Sequence, residues 1–202
     1  MTATIDPPEL LTRSRILAGA EACVRQFGLR RWSMHDAAVA AGVSRGSVYR
    51  YFADRESLVD AVLERTAERF VAESEPAVRR RRTLATQVGE AAVFITTHRR
   101  DDALTLALPN DDSLLATLLT ARAERLVERW VDFWMPLLSE AAGRGEIRRG
   151  LDHRRAAEWI VRMLLSIALM PSVVIDLDDP EQVREFVHEH IVHGLAPTRP
   201  RS

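Results

Sequence analysis

Residues 42–46, Gly-Val-Ser-Arg-Gly, match the G-x-S-x-G pattern that surrounds the nucleophilic serine of many hydrolases. In that chemistry the serine lies on a strained turn between a buried strand and a helix, and the turn exposes its hydroxyl group. The residues just before the pattern, 36–41, are rich in alanine and poor in β-branched types, so they indicate a helix. A serine hydrolase with Ser44 as nucleophile is therefore kept only as an alternative hypothesis.

Cysteine and histidine offer two further chances for chemistry. The single cysteine, Cys23, excludes an internal disulfide and a multi-thiolate metal site, and indicates a small buried side chain. His188, His190 and His193 lie close together, but on a helix only His190 and His193 share a face, and no third ligand converges on them. We expect no metal, no cofactor and no catalytic residue, and hence no enzymatic activity.

The charge of the chain is unevenly distributed. The whole sequence carries a net charge of −1, yet residues 10–55 contain eight arginines against three acidic residues, which makes that segment +5 and the rest −6. The basic segment is a candidate for binding an anion. The longest apolar stretch, 163–175, is too short to cross a bilayer, and no signal peptide is recognisable at the N-terminus. We expect a cytoplasmic protein that does not bind membranes.

The elements that position these residues are predicted to be helices. Apolar residues recur with a period near 3.6 along most of the chain, and no alternating strand of four or more residues stands out, so we predict an all-α fold. The predicted helices follow Pro7-Pro8 up to Phe27, run from Ser33 to about Ala41, from Ser44 to Tyr51 and from Asp54 to a point before Pro76, and then cover 83–98, 102–108, 112–142, 154–170 and 180–194.

Residues 37–49 have the composition of a helix-turn-helix. Such a motif needs a small residue where two helices cross, a glycine for a left-handed turn and apolar residues on the inner faces. Ala38, Gly42, Val43 and Val48 supply these in order. An ordinary helical hairpin would not predict the basic, hydroxyl-rich outer face that this segment carries.

Three stretches in this region resemble the DNA-binding domain of the TetR family of bacterial transcriptional regulators. They are Ser33-Met-His-Asp-Ala-Ala, the run from Ala41-Gly-Val-Ser to Tyr51-Phe52, and Arg55-Glu-Ser-Leu58. The resemblance covers about residues 10–60. It implies a homodimeric, usually repressing regulator whose C-terminal helical domain binds a small inducer and forms the dimer interface. The sequence departs from the family at Ala37, usually a larger aliphatic residue, and at Arg55, usually lysine.

We therefore predict an N-terminal three-helix DNA-binding domain with a helix-turn-helix, followed by a larger C-terminal helical domain for ligand binding and dimerisation. The predicted boundaries are 1–8 for a disordered tail, 9–53 for the DNA-binding domain, 54–76 for a connecting helix, 77–195 for the second domain and 196–202 for a second disordered tail.

A short recognition helix that starts at Ser44 would present its first turn to the major groove of DNA. The residues predicted to contact bases are Arg45, Gly46, Ser47, Tyr49, Arg50 and, from the resemblance, His35. Arg45 is suited to bind guanine through two hydrogen bonds. Hydroxyls and cations at helix starts favour phosphate, and the predicted phosphate contacts are Ser33, Ser44, Tyr51 and Arg55.

The second domain is predicted to hold a dimer interface and an apolar pocket. The helix over 154–170 is apolar on all but one narrow line, so it must be covered on more than one side, which indicates a two-fold four-helix interface. The predicted interface residues are Trp159, Met163, Ile167, Val183, Phe186, Val187, His190 and Ile191. The predicted pocket residues are Phe94, His98, Trp130, Phe133, Trp134 and Met163.

Taken together, these features predict a homodimer that represses transcription from a palindromic operator in double-stranded DNA and is released by a small apolar or amphipathic effector. A DNA-binding dimer without ligand control is the alternative within the same class.

Overall fold

The structure is a computed structural model, and it describes residues 7–28, 31–98 and 122–192. These residues form helices and contain no strand, which confirms the all-α prediction. The helices are α1 (Pro7–Phe27), α2 (Met34–Ala41), α3 (Arg45–Tyr51), α4 (Arg55–Arg79), α5 (Leu84–His98), α6 (Arg122–Gly143), α7 (His153–Leu169) and α8 (Pro180–Phe186), which continues as a π-helical segment, Val187–Val192. The predicted helix 102–108, the start of the predicted helix 112–142 and the tail 196–202 lie outside the described residues.

Helix α1 begins earlier than the sequence indicated. Pro7 and Pro8 belong to its first turn instead of to a preceding tail. Proline is well tolerated there, because the first N–H groups of a helix have no carbonyl partner and the ring already holds a helical φ.

The described chain divides into two compact units, the first of which contains α1, α2, α3 and the part of α4 up to Ala67. Its core is built from buried side chains of all four helices, among them Ile16, Ala20, Val48, Phe52, Leu58 and Val62. Helix α4 is tied to α1 by Arg65, which donates a hydrogen bond to the carbonyl of Ser14 at 3.0 Å. The two helices of the helix-turn-helix, α2 and α3, thus share a hydrophobic core with α1 and α4.

Helices α1 and α2 approach each other closely at Gly19. A Cβ atom at this position would lie 2.7 Å from the backbone nitrogen of Ala41 and 2.9 Å from the carbonyl oxygen of Ala37, both on α2. Neither backbone atom can move aside without distorting α2, so only glycine allows this crossing. The small residue at Ala37, a departure from the family pattern, is fully buried at the same crossing.

Helix α4 does not stop before Pro76 but continues to Arg79, and the prediction of an earlier end is wrong. A proline inside a helix leaves the carbonyl four residues earlier without its usual partner. Here Ala72 and Pro76 are both exposed, so water can reach that carbonyl. Val78, in the following turn, is completely buried in the core of the second unit, which favours continuing the helix.

The second unit contains residues 68–98 and 124–192. Helix α5 contacts α7, α8 and the π-helical segment, and its side chains Leu84, Val88 and Ala92 lie in the shared core. The first turn of α5 is stabilised by a residue that is far away in the sequence, because the backbone N–H of Leu84 donates to the carboxylate of Glu146 at 2.7 Å. Glu146 lies in the loop after α6.

The C-terminal helix differs from the regular helix predicted over 180–194. Asp179 caps α8 by accepting hydrogen bonds from the N–H groups of Glu181 and Gln182, and the α-helical pattern ends at Phe186. From Val187 the backbone is π-helical. The wider turn still keeps Val183 and Val187 buried in the core.

None of the helices in the described part of the chain combines the length and apolar character needed to cross a bilayer.

Candidate nucleic-acid interface

The turn between α2 and α3 is built as the sequence predicted. Ser33 and Asp36 form a capping box at the start of α2, in which each side chain accepts a hydrogen bond from the backbone N–H of the other residue. Gly42 ends the helix in the left-handed region with φ of 62°. The next N–H, that of Val43, donates to the carbonyl of Ala38 at 3.0 Å and closes the helix end.

Helix α3 starts at once from Ser44, whose hydroxyl accepts a hydrogen bond from the N–H of Ser47 at 3.0 Å. Val48 and Phe52 point into the core of the first unit. Arg45, Gly46, Tyr49 and Arg50 are exposed, and Ser47 is half-buried. We call these five residues the reading face.

Arg45 and Tyr49 on the reading face contact each other one helical turn apart. The guanidinium carbon of Arg45 lies 5.4 Å from the centre of the Tyr49 ring, and its Nη2 donates to the phenol oxygen at 3.4 Å. In the same way the guanidinium of Arg50 lies over the ring of Tyr51 at 5.2 Å. Stacking on an aromatic ring limits the rotamers of each arginine and leaves its remaining donors pointing to solvent.

The residues predicted to contact phosphate lie around the reading face. Ser33 and Ser44 are exposed N-cap residues, Tyr51 is half-buried, and His35 is exposed in the first turn of α2. Arg55 has a structural contact that the sequence did not indicate. Its Nε donates to the carbonyl of Trp32 at 2.8 Å, and its guanidinium stacks on the Trp32 ring at 4.5 Å.

The nucleophile elbow hypothesis for Ser44 is wrong. The residue follows helix α2 and a glycine turn, whereas an elbow needs a preceding buried strand to strain the turn. The hydroxyl of Ser44 is engaged in capping α3 and lies 2.9 Å from the hydroxyl of Ser47.

Two titratable groups of the first unit have shifted pKa values. The hydrogen bonds that Ser33 donates from its hydroxyl and its backbone N–H to the Asp36 carboxylate lower the pKa of that group. Burial raises the pKa of the Cys23 thiol, and the negative charge of Asp36 raises it further. Cys23 is therefore a protonated core residue, as the sequence predicted.

The predicted pocket residues whose side chains the structure describes all lie in the second unit. Phe94 and Trp130 both approach Phe70, which the sequence analysis missed, with ring centres 5.2 Å and 6.3 Å apart. Trp134 is fully buried and contacts Phe133 edge to face. Met163 packs partly buried against the same core. The side chain of His98 lies outside the described residues.

The predicted interface residues separate into two groups. Trp159, Phe186 and His190 have side chains that reach the surface, and Met163 is partly exposed. Ile167, Val183 and Val187 are buried in the core of their own subunit. We remove these three from the interface, because a buried side chain has no surface left for a partner. The side chain of Ile191 lies outside the described residues.

Histidines and acidic residues show no metal-binding arrangement in the ranges 7–28, 31–98 and 122–192, where no three His, Cys, Asp or Glu side chains are placed to hold an ion. His193 lies outside these ranges.

Comparison with known proteins agrees with this geometry. Residues 16–62 match the model of the bacterial regulatory proteins of the tetR family. This range contains α2 and α3, together with the end of α1 and the start of α4. A helix-turn-helix-type transcriptional regulator of Mycobacterium tuberculosis is 29% identical over 211 aligned positions, which cover 94% of this chain and 90% of the relative. A regulator of the same type from Mycobacterium bovis is 26% identical over 88% of this chain and 91% of its own length.

Solved structures show the same fold along most of the chain. The TetR family repressor AlkX from Dietzia sp. is 28% identical, with a TM-score of 0.64 over 90% of this chain and 94% of AlkX. A TetR-family regulator from Pectobacterium atrosepticum reaches a TM-score of 0.71 at 19% identity over 98% of this chain and 100% of that one. The regulator FadR from Bacillus subtilis reaches 0.63 at 20% identity over 88% and 98%.

Structure and comparison agree on a DNA-binding transcriptional regulator. The structural observations are the left-handed turn at Gly42 and the exposed reading face of α3, and the relatives are regulators of the helix-turn-helix type. Residues 16–62 are similar to the DNA-binding domain of the tetR family, and the chain is a transcriptional regulator that binds DNA through its helix-turn-helix.

Proposed function

We propose that this regulator acts as a homodimer that represses transcription by binding a palindromic operator, and that a small apolar or amphipathic effector releases it. The observation that carries the proposal is the reading face, which projects exposed basic and hydroxyl groups from a helix whose other side is packed into a core. A regulator of bacterial genes would act in the cytoplasm, where the chromosome is.

On DNA, α3 would lie in the major groove with its first turn next to the bases. Arg45 would bind guanine through two donors, and Gly46, which has no side chain, would allow the backbone to come close to the base edges. Ser47, Tyr49, Arg50 and His35 would complete the base contacts. Ser33, Ser44, Tyr51 and Arg55 would contact phosphates on either side and fix the register without reading sequence.

An exposed apolar surface on the second unit supports the dimer. Trp159 on α7 is 45% exposed, and Met170, Val173 and Val174, which follow the end of that helix, are 63%, 96% and 76% exposed. Large apolar side chains exposed on a surface are candidates for a protein interface. On the last helix, the rings of Phe186 and His190 also reach the surface, with centres 4.8 Å apart.

An effector site in the second unit is supported by the aromatic group formed by Phe70, Phe94 and Trp130. The indole nitrogen of Trp130 is buried without a hydrogen-bond partner, and burying a donor in this way is costly. A ligand with an apolar body and an oxygen that accepts this hydrogen bond would satisfy it. Two structural relatives support an apolar body, since AlkX is implicated in the biodegradation of n-alkanes and FadR was solved with stearoyl-CoA.

The experiment that tests the DNA-binding proposal is selection of bound sequences from random double-stranded DNA with the full-length protein. We expect a palindrome whose half-site centres are one helical turn apart, and a steep loss of affinity with salt. Selection of an asymmetric single site, or of no sequence, would contradict the proposal.

The effector is tested with the operator so obtained. A panel of fatty acids, acyl esters and hydrocarbons is screened by thermal shift, and every compound that stabilises the protein is tested for release of labelled operator. Because an effector must differ in affinity between the free and DNA-bound forms, we expect stabilisation and release to occur together. Trp130→Phe should weaken binding of the oxygen-bearing compounds only. Release by none of them would favour the dimer without ligand control.

A further inference from the structure

Arg15 on α1 makes a contact with the helix-turn-helix that none of the assigned roles includes. Its Nη2 donates hydrogen bonds to two backbone carbonyls, that of Ala41 at 3.0 Å and that of Gly42 at 3.1 Å. Ala41 is the last residue of α2 and Gly42 makes the left-handed turn into α3. One guanidinium thus holds both sides of the point where the chain changes direction.

These two carbonyls lie at a helix end, where a cation is favourable. The last carbonyls of a helix lack backbone partners, and the helix dipole places partial negative charge there. Helix α2 is only eight residues long and has no basic residue in its own last turn. Arg15 supplies the missing cation from a neighbouring helix.

The close crossing at Gly19 explains why Arg15 can reach the turn. Arg15 lies four residues before Gly19, so the two residues share one face of α1. Because Gly19 brings the backbone of α1 against α2, the side chain one turn earlier lies beside the end of α2. A Cβ at Gly42 would lie 3.1 Å from Nη2 of Arg15, which shows how closely the guanidinium approaches the turn.

We propose that Arg15 is a positioning residue that sets the direction of α3 relative to α2, and through it the approach of the reading face to the bases. The proposal rests on DNA binding by this face, as set out above. In this role Arg15 acts on the choice of sequence through its two hydrogen bonds to the turn, and a phosphate contact is the alternative that the test distinguishes. Its proposed role therefore differs from that of Arg45 and Arg50 on α3, which would contact the DNA directly.

The test compares Arg15→Met, which keeps the apolar stem and removes the donors, with Arg15→Lys, which keeps the charge. Arg25→Ala is the matched control, because Arg25 is an exposed arginine in the last turn of the same helix. Affinities for the selected operator and for random DNA are measured by fluorescence anisotropy over a range of salt. All are measured at a temperature where circular dichroism shows each variant fully folded.

We expect Arg15→Met to weaken operator binding roughly tenfold, the effect of about one hydrogen bond, while random-DNA affinity and the salt slope stay as in the wild type. Arg15→Lys should restore part of the affinity, and Arg25→Ala should change nothing.

Two results would overturn the proposal. A salt slope reduced by about one, with equal losses on operator and random DNA, would show a direct phosphate contact. Operator binding unchanged in folded Arg15→Met would show that the contact only stabilises the fold. If the wild type selected no operator at all, DNA binding itself would fail, and the variants would differ only in thermal stability.

Discussion

At the residue scale, the arginines of this chain differ in what already holds them. Arg45 stacks on Tyr49 and keeps donors at the surface, whereas Arg15 and Arg55 use donors on backbone carbonyls of their own subunit. An arginine that is held by a ring but still has donors to offer loses little side-chain entropy when it binds a base. This difference favours Arg45 over Arg15 and Arg55 for the proposed base contact.

We expect Arg45→Ala to lose about 1–3 kcal/mol of discrimination at one base pair of each half-site, because the variant cannot make the proposed bidentate contact to guanine. The measurement is operator binding with each base substituted in turn. Arg45→Lys should keep general affinity but lose most of the preference. An unchanged preference at every position in Arg45→Ala would exclude Arg45 from base reading.

Cys23 should be inert in the folded protein. Its raised pKa means that the thiol is protonated at pH 8, and its burial keeps reagents away. We expect no reaction with a disulfide reagent such as Ellman's reagent under native conditions and one thiol per chain in denaturant. Rapid native labelling would show that the core of the first unit opens readily.

At the element scale, α2 depends on its caps because eight residues supply few internal hydrogen bonds. We expect Ser33→Ala to destabilise the protein by about 0.5–2 kcal/mol, as is usual for loss of an N-cap, measured by urea denaturation. The control is Thr97, which is exposed near the end of α5. Thr97→Ala should have little effect, and an equal loss in both would contradict a specific cap.

The capping box also predicts a dependence on acid. Because the Asp36 pKa is lowered in the folded state, its contribution to stability is complete above the ordinary value of 3.8 and is lost as the pH falls through the folded value. We therefore expect wild type to lose stability below about pH 4 more steeply than Asp36→Asn, followed by circular dichroism. Parallel curves for the two proteins would contradict the coupling.

The crossing of α1 and α2 should not tolerate a methyl group. Gly19→Ala places a carbon within 3 Å of the α2 backbone, and we expect a loss of about 1–3 kcal/mol together with weaker operator binding. Gly143→Ala is the control, because a Cβ there meets nothing within 4 Å. It should be neutral or stabilise by about 0.4–1 kcal/mol. Equal unfolding midpoints for the two variants would contradict the close crossing.

At the scale of the whole molecule, dimerisation is expected to depend on Trp159. Replacing it with glutamate places a charge in the proposed apolar interface, so we expect a monomer of 22.8 kDa by analytical ultracentrifugation and a strong loss of operator affinity. Val39→Glu alters an apolar side chain of the first unit that is 67% exposed, and it should leave the dimer intact. If the Trp159→Glu variant remained a dimer, the interface would have to be formed by other residues.

How much the sequence could predict depended on the range of the interactions. The caps at Ser33, Gly42 and Ser44 are local, and residues three or four apart were enough to predict them. Contacts between distant segments left no local pattern, which is why Arg15 and Trp32 were missed. The continuation through Pro76 depended on burial of Val78, which only the folded chain shows.

The interface prediction failed in part for a related reason. An apolar side chain has the same pattern in the sequence whether its own subunit or a partner covers it. Val183 and Val187 are covered by their own core, while Trp159 remains exposed. Only the packing of α5 against the last helix separates these cases.

That packing has a consequence for how the protein is made. Val183 and Val187 complete the core around α5, and Glu146 accepts a hydrogen bond from the first turn of α5. Helix α5 is synthesised early, but its packing partners are synthesised much later. The second unit can complete its core only after almost the whole chain has left the ribosome. A premature stop codon before Val183 would leave that core open and make the truncated product a substrate for proteases.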